Sequence, residues 1–457
     1  MTKMTPAEAM TAMLENLTPH QRPFGYAEAY QAAQGLTSGS AAQASAILGI
    51  LGVSQFVDID TPPGMGVPLN FPDDHRIHLE NSDEWYWASA NLIASDDVTR
   101  IGVLTTTQNA RLIPQKIQAL AGWSDAECHV VASATTVMIH DGTHSRIIRG
   151  QPNIRWLIGG DNVVFPSVET RVYRCGEDVW TWGSEQVLPL RIQSRGGEAA
   201  IDLTMTTDMP LDQAWFLQAI GGRTAPPRAG LYYSWPQLAV TGTVKVGEEV
   251  FDVSGKGWVD HQLMMATPPD AKDPPPPVPR HSAASLDRGF NGWQWCQFNL
   301  DNGDAYTGAT FQEGTFRTNI LAGFSGYITK ENGAWVPNPI QAEWRFDALI
   351  STLHDVIQPT EWTYELKGPL PGDISGSGVS TTIVASPLHL DGGFIGAGLQ
   401  VNSEVAATVM MTCTPKSGPI LTVSGAGYCE TIDAETREHY VIRMLDFLAG
   451  EAGQPAP

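Results

Sequence analysis

The chain has 457 residues, 42% hydrophobic and only 17% charged, which is enough apolar material for more than one core. Its 49 acidic residues against 27 basic ones give a net charge of −22, a field that repels phosphate backbones and anionic headgroups and speaks against nucleic acid and peripheral membrane as partners. Five scattered cysteines, Cys128, Cys175, Cys296, Cys413 and Cys429, form no CxxC pair, which argues against a zinc knuckle or disulfide framework and suits the reduced thiols of a cytoplasmic protein.

The N-terminal MTKMTPAEAMTAMLENLTPH lacks the apolar core and cleavage pattern of a secretory leader. The most hydrophobic run, Ala46 to Val53, is far short of the ~20 residues that span a bilayer, so no integral membrane segment is expected. Residues 5 to 52 read as helical, with Pro6 in a first turn and apolar side chains recurring at Met10, Met13, Leu14, Ala29 and Ala32. A helical extension is therefore expected over residues 1–60. Its small-residue faces suit docking on the rest of the chain or on a second copy in a homo-oligomer.

Past Thr61-Pro62-Pro63-Gly64 the pattern changes to short alternating runs such as RIGVLTTT, HVVASATTVMIH and QLAVTGTVKVGEEVFDVSG. Asp141-Gly142 and Asn302-Gly303 lie between such runs, where hairpins need positive φ. The segment Pro268 to Arg280 holds seven prolines and reads as an extended insertion over the mouth of a site. With a linker placed near residues 311–320, the expectation is an all-β body of two antiparallel β-barrels, spanning 61–315 and 316–457, each wide enough for one small ligand.

Three segments concentrate chemistry. The first, FPDDHRIHLENSDEWYW, carries Asp73, Asp74, His75, His78, Asp83, Glu84, Trp85 and Trp87. The second, GKGWVDHQL, carries Trp258, Asp260, His261 and Gln262. The third, GWQWCQFNLDNGDAY, carries Trp293, Trp295, Gln297 and Asn299. On a strand alternate residues share a face, so Trp258, Asp260 and Gln262 lie together and His261 points the other way. Trp293, Trp295, Gln297 and Asn299 share a face too polar for a plain core and too aromatic for a solvated surface, as a pocket for an apolar ligand requires. Against this, an indole in a strand is most often a packing residue that needs one acceptor, and Asp-His on a strand is more often a hydrogen-bonded pair than a dyad. His75 and His78 have the spacing of a metal pair, but no third ligand stands at diagnostic distance, so no metal is expected. Neither a phosphate loop nor G-x-S-x-G is present, and no cofactor is expected.

These segments resemble the AttH/CrtC family, which includes carotenoid 1,2-hydratase. FPDDHRIHLENSDEWYW is similar to its F-P-x-D-H…E-W-W-Y opening, GKGWVDHQ to its G-x-W-x-D-x-Q strand, GWQWCQFNLDNG to G-W-x-W-F-x-x-x-L-x-D-G, and ILTVSGAGYCETI to the closing V-x-G-x-G-Y-x-E. The resemblance covers roughly residues 70 to 435 in order. It implies two lipocalin-like barrels with the ligand within or between them, and hydratase or cyclase chemistry without a redox cofactor. The carotenoid hydratases carry a Tyr and an Asp, implicated in catalysis, where this chain has Gln297 and Asn299. Leu263 stands where they have a Trp.

Two enzymatic readings and one binding reading follow. A lyase or isomerase of the hydratase type would use Asp260 as a buried acid. His261 would serve as base if the strand bulges, and otherwise His75 or His78, with Asp74 in the catalytic set and Trp85, Trp87, Trp258, Gln262, Trp293, Trp295, Gln297 and Asn299 around a hydrophobic isoprenoid or polycyclic substrate. A cyclase would fold a flexible polyketide or terpenoid substrate and polarise its carbonyl through Gln297 and Asn299. A lipocalin-like carrier would bind its ligand unchanged, but gains little from buried acids.

Overall fold

The computed structural model describes residues 3–17, 26–34, 75, 83–111, 113, 115–149, 153–156, 163–164, 171–183, 188–195, 197–220, 230–264, 292–312, 320–351, 357–367, 370, 378–389, 393–395, 401–415 and 418–432. Asp73, Asp74, His78, the proline-rich 268–280 and the side chain of Trp293 lie outside the described residues, as does the segment around residue 440.

Helix α1, Pro6–Asn16, starts as its sequence dictates. Thr5 and Glu8 form a reciprocal capping box with Pro6 in the first turn, and Ala9, Met10, Met13 and Leu14 make its buried face. Helix α2, Tyr26–Gln34, packs on it, with the Tyr26 hydroxyl donating to the Leu14 carbonyl at 2.9 Å. The start of the chain docks on its own body: the Met4 N–H bonds to Ala121 O at the end of a short helix, Gln115–Ala121, and Trp123 Nε1 donates to Met4 O. Among the described residues no helix is long and apolar enough to cross a membrane.

Most of the other described residues are strand, in two large antiparallel sheets. The thirteen-stranded first sheet begins with β1 (Asp83–Ala94), β2 (Arg100–Arg111), β3 (His129–His140), β4 (Ser145–Arg149), β5 (Asn153–Trp156) and β6 (Val163–Val164). It continues through β7 (Val172–Cys175), β8 (Asp178–Thr181), β9 (Leu190–Ser194), β10 (Ala199–Thr206), β11 (Phe216–Ile220), β12 (Gly230–Val246) and β13 (Glu249–Met264). The ten-stranded second sheet opens with β14 (Gly292–Leu300), β15 (Ala305–Gln312), β16 (Ile320–Glu331), β17 (Ala334–Pro339) and β18 (Gln341–Ser351). Its other strands are β19 (Ile357–Lys367), β20 (Gly378–Pro387), β21 (Gly393–Ile395), β22 (Val401–Pro415) and β23 (Leu421–Ile432).

Both sheets use one plan: the first strand pairs with the last, β1 with β13 and β14 with β23. The turns after β3 and β14 place Gly142 and Gly303 at φ 94° and 93°, as the Asp-Gly and Asn-Gly dipeptides require. The sheet changes between Met264 and Gly292. Strands β14 and β15, which the sequence pattern groups with the preceding run, therefore pair in the second sheet. Alternating strands flank the proline-rich stretch on both sides, so the pattern alone does not mark a change of sheet there.

Each sheet curves around its own aromatic interior. Tyr86, Trp180, Trp182 and Tyr233 fill the first, and Phe298, Tyr306 and Tyr364 the second. The outer faces of the central strands then meet along a seam, where the Trp87 ring packs edge-on against Trp295 at 4.8 Å and against Tyr428 at 5.8 Å.

Candidate active site at the seam between the sheets

Strand β13 runs opposite β1 without a register slip, from Asp83 facing Met264 to Ala94 facing Val253. Regular alternation therefore sends Trp258, Asp260 and Gln262 toward the seam, beside Ser89, Trp87 and Trp85 of β1. His261, opposite Tyr86, turns into the first sheet's interior.

Asp260 is 1% exposed and collects three donors. Trp258 Nε1 donates to Oδ1 at 2.6 Å, the Ser234 hydroxyl donates to the same oxygen, and the Tyr232 hydroxyl donates to Oδ2 at 2.5 Å. Tyr232 and Ser234 reach it because alternate residues of β12 face the seam, opposite Gln262 and Asp260. Burial pushes the carboxyl from 3.8 up to about 7; the three donors pull it down and Glu430 across the seam pushes it up. Desolvation outweighs three hydrogen bonds because no cation stands against the carboxylate form among the described residues.

The second sheet supplies the opposite wall. Glu404 accepts from Trp87 Nε1 at 3.0 Å. Glu430 pairs in register with both Glu404 and Trp295. Gln297 Nε2 donates to Ser89 Oγ at 2.7 Å. Asn299 is bound on both sides: its Nδ2 donates to Gly257 O at 3.1 Å, and its Oδ1 accepts the Gln237 N–H at 2.9 Å. The bulge in β12 between Trp235 and Leu238, with Gln237 at φ 55°, aims that N–H out of the sheet ladder. The Trp295 indole N–H, Gln297 Oε1 and the Tyr428 hydroxyl have no partner among the described residues although all are buried. Trp85 and Gln262 are partly exposed at the Asp260 end. At the other end the seam widens into a cleft of about 260 Å³ bordered by Asn91, Arg100, Lys256, Asn299 and Asp301.

The structure thus brings Asp260, Trp258, Gln262, Trp85, Trp87, Trp295, Gln297 and Asn299 to one seam. It does not join His261 to Asp260. Adjacent on a strand without a bulge, they occupy opposite faces, and His261 meets His75 through Tyr233 instead. Among the seam residues not singled out from sequence are Tyr232, Ser234, Glu404 and Glu430. The first two follow from the same alternation in YYSW that separates Asp260 from His261. Glu430 lies within the closing GYCETI segment, and Glu404 carries no sequence signal of its own.

A family model described as AttH-like matches residues 62–363. An AttH-type protein of Nitrosomonas europaea shares the fold at a TM-score of 0.58 and 18% identity, over 81% of this chain and 98% of that one. The kievitone hydratase of Nectria haematococca is similar at a TM-score of 0.49 and 13% identity, over 83% of this chain and 98% of that chain. CghA with Sch210972 is similar at 0.37 and 10% identity, over 83% and 97% of the two chains. No curated protein matches this chain.

Proposed function

The chain belongs to the AttH-like family, and from that premise we propose a cofactor-independent lyase or isomerase of the alkene-hydratase type, acting on a hydrophobic isoprenoid or polycyclic molecule. The observation that supports it is Asp260, a buried carboxyl whose pKa is raised to about 7, bonded by the Trp258 N–H and opposite Trp87 on β1. A carboxyl of that acidity keeps its proton into neutral solution and gives it up readily. In the forward direction the Asp260 proton moves to one alkene carbon, leaving a carboxylate and a carbocation. The π faces of Trp87 and Trp295 and the carboxylates of Glu404 and Glu430 favour that cation. Water adds to it, and the surplus proton of the adduct restores the acid. Dehydration is the reverse. His261 and His75, on the far face of β13, take no part.

A second reading, cyclisation of a substrate carrying a carbonyl, draws on the donors left over in the seam. Asn299 is committed to the backbone of β12 and β13, and the Gln297 amide to Ser89. Carbonyl polarisation would fall to the Trp295 N–H and the Tyr428 hydroxyl.

The test is incubation with a panel of hydrophobic alkenes in heavy-oxygen water, followed by mass spectrometry. A labelled alcohol is expected, and Asp260→Asn should lower its formation by about 10²- to 10⁴-fold while substrate binding persists. Full activity of that variant rejects Asp260 as the acid. An unlabelled ring-closed product, sensitive to Trp295→Phe, selects the cyclase. Binding without any product selects a carrier.

A further inference from the structure

The cleft at the far end of the seam is bordered by more positive charge than negative, in a chain whose net charge is −22. It opens where alternation along β1, β2 and β13 brings Asn91, Arg100 and Lys256 to one face, with Lys256 opposite Asn91 and Arg100 opposite Ile93. Its volume is about 260 Å³, and Leu388 and Ala426, from the side of the second sheet, give it an apolar wall. Two of the bordering side chains are cations, and one, Asp301, is an acid. The Arg100 guanidinium has no hydrogen bond or ion pair among the described residues, although its planar fork is the shape that holds a carboxylate through two bonds. Lys256 is half-buried. Its Nζ donates to the Leu300 carbonyl at 3.0 Å, and Asp301 Oδ1 stands 3.9 Å away. Loss of water lowers the Lys256 pKa more than Asp301 lifts it. Asp301 Oδ2 is taken by the Ser424 hydroxyl at 2.5 Å. Two cations therefore face a cavity that holds less negative charge than they need.

A second observation is independent of charge. Asn91 Nδ2 donates to the Gly427 carbonyl at 3.3 Å, which leaves Asn91 Oδ1 buried and without a donor among the described residues. Native structures leave few such atoms unsatisfied, and this one belongs to a side chain that borders the cleft. An occupant that completes the cleft supplies negative charge to Arg100 and Lys256 and an O–H to Asn91.

We propose that this cleft is a second binding site, for a small carboxylate that carries a hydroxyl on a short apolar chain. The carboxylate lies between Arg100 and Lys256, the hydroxyl donates to Asn91 Oδ1, and the chain rests on Leu388 and Ala426. Pockets that enclose drug-sized ligands run from about 300 to 1,000 Å³, so this smaller cleft takes a molecule of few carbons. It is separate from the site at Asp260. Lys256 is four residues from Asp260 along β13, about 13 Å on an extended strand. Between them the Gln297–Ser89 and Asn299–Gly257 hydrogen bonds cross the seam.

The probe is 3-hydroxybutyrate, titrated into the full chain by calorimetry, with butyrate and 3-hydroxybutyramide as controls. One molecule of 3-hydroxybutyrate should bind per chain. Butyrate, which lacks the hydroxyl, should bind about fivefold more weakly, and the uncharged amide should not bind. Arg100→Gln and Lys256→Met, which keep most of each stem and remove its charge, should each weaken binding by about tenfold or more. Asp301→Asn should tighten it, because the one carboxylate bordering the cleft repels an anion; a cation site would weaken by the same change. Asp260→Asn should leave the affinity unchanged. Absence of binding, equal affinity for the acid and its amide, or equal affinity for the two acids overturns the proposal. So does binding that survives Arg100→Gln or Lys256→Met, or that is no tighter in Asp301→Asn. Loss of binding in Asp260→Asn also overturns it, by placing the acid beside that carboxyl. If Lys256→Met does not fold, Arg100→Gln, at an exposed position, decides alone. The outcome is independent of whether the seam hydrates an alkene.

Discussion

Asp260 gives the seam a pH dependence whose sign can be derived. Its carboxyl is neutral below about 7 and charged above, and only the neutral form can protonate carbon. Activity per free enzyme should therefore fall as pH rises through about 7, with one descending limb in kcat/KM assigned to this group. A profile flat from pH 6 to 9 would remove Asp260 from the chemistry. Stability follows the same group with the same direction. The folded carboxyl is raised above its unfolded value of 3.8, so the folded state binds more protons between about 4 and 7 and loses stability as pH rises across that window. The full cost, reached above about 7, is on the order of 4 kcal/mol, because each tenfold change in proton affinity is worth about 1.4 kcal/mol. Asp260→Asn carries no such cost. It should gain on the natural protein as pH rises from about 4 to about 7, measured by urea midpoints at both ends.

At the scale of the strands, the seam depends on how closely β2 approaches β22. A Cβ added to Gly102 would stand 2.4 Å from Ala406 Cβ and 3.0 Å from the Tyr428 hydroxyl. Neither Cβ can swing aside, so Gly102→Ala must part the sheets and should cost about 1–3 kcal/mol. Ala406→Gly in the same chain should recover part of that loss, and a double-mutant cycle with no coupling would contradict the contact. The strands and their faces were legible in sequence, because alternation at Trp258-Val259-Asp260-His261 is a local property that the regular pairing of β13 preserves. The destination of each face was not. Alternation normally separates a wet face from a dry one, but from Trp258 to His261 both faces of β13 are buried, one against the second sheet and one in the packed interior of the first. Asp260 therefore faces the seam while His261, its neighbour in the chain, is buried among the rings of the first sheet. Glu404 and Glu430 were invisible for another reason. Glu404 reaches Trp87 and Glu430 reaches Asp260 only through the pairing of β22 with β23 and the packing of the second sheet on the first, which no local pattern reports.

For the molecule as a whole, the seam decides whether the two sheets behave as one body. A chain of 457 residues ordinarily unfolds in pieces, since cooperative two-state behaviour belongs mainly to single domains under about 150 residues. Against that, one continuous buried cluster runs from Tyr86 and Trp235 in the first sheet through Trp87, Trp295, Ala406 and Tyr428 to Phe298 and Tyr364 in the second. Polar bonds cross the same boundary, from Trp87 to Glu404, Gln297 to Ser89 and Asn299 to Gly257. Unfolding either sheet alone would expose the seam face of the other and strand these groups, whose desolvation is already complete. The two sheets should therefore melt together, as a single calorimetric transition whose calorimetric and van't Hoff enthalpies agree. Gly102→Ala, by loosening the joint, should broaden or split that transition before it abolishes either sheet. Two resolved transitions in the natural protein would mean that the seam is a contact between independent bodies. The geometry around Asp260 would then be held by docking rather than by folding.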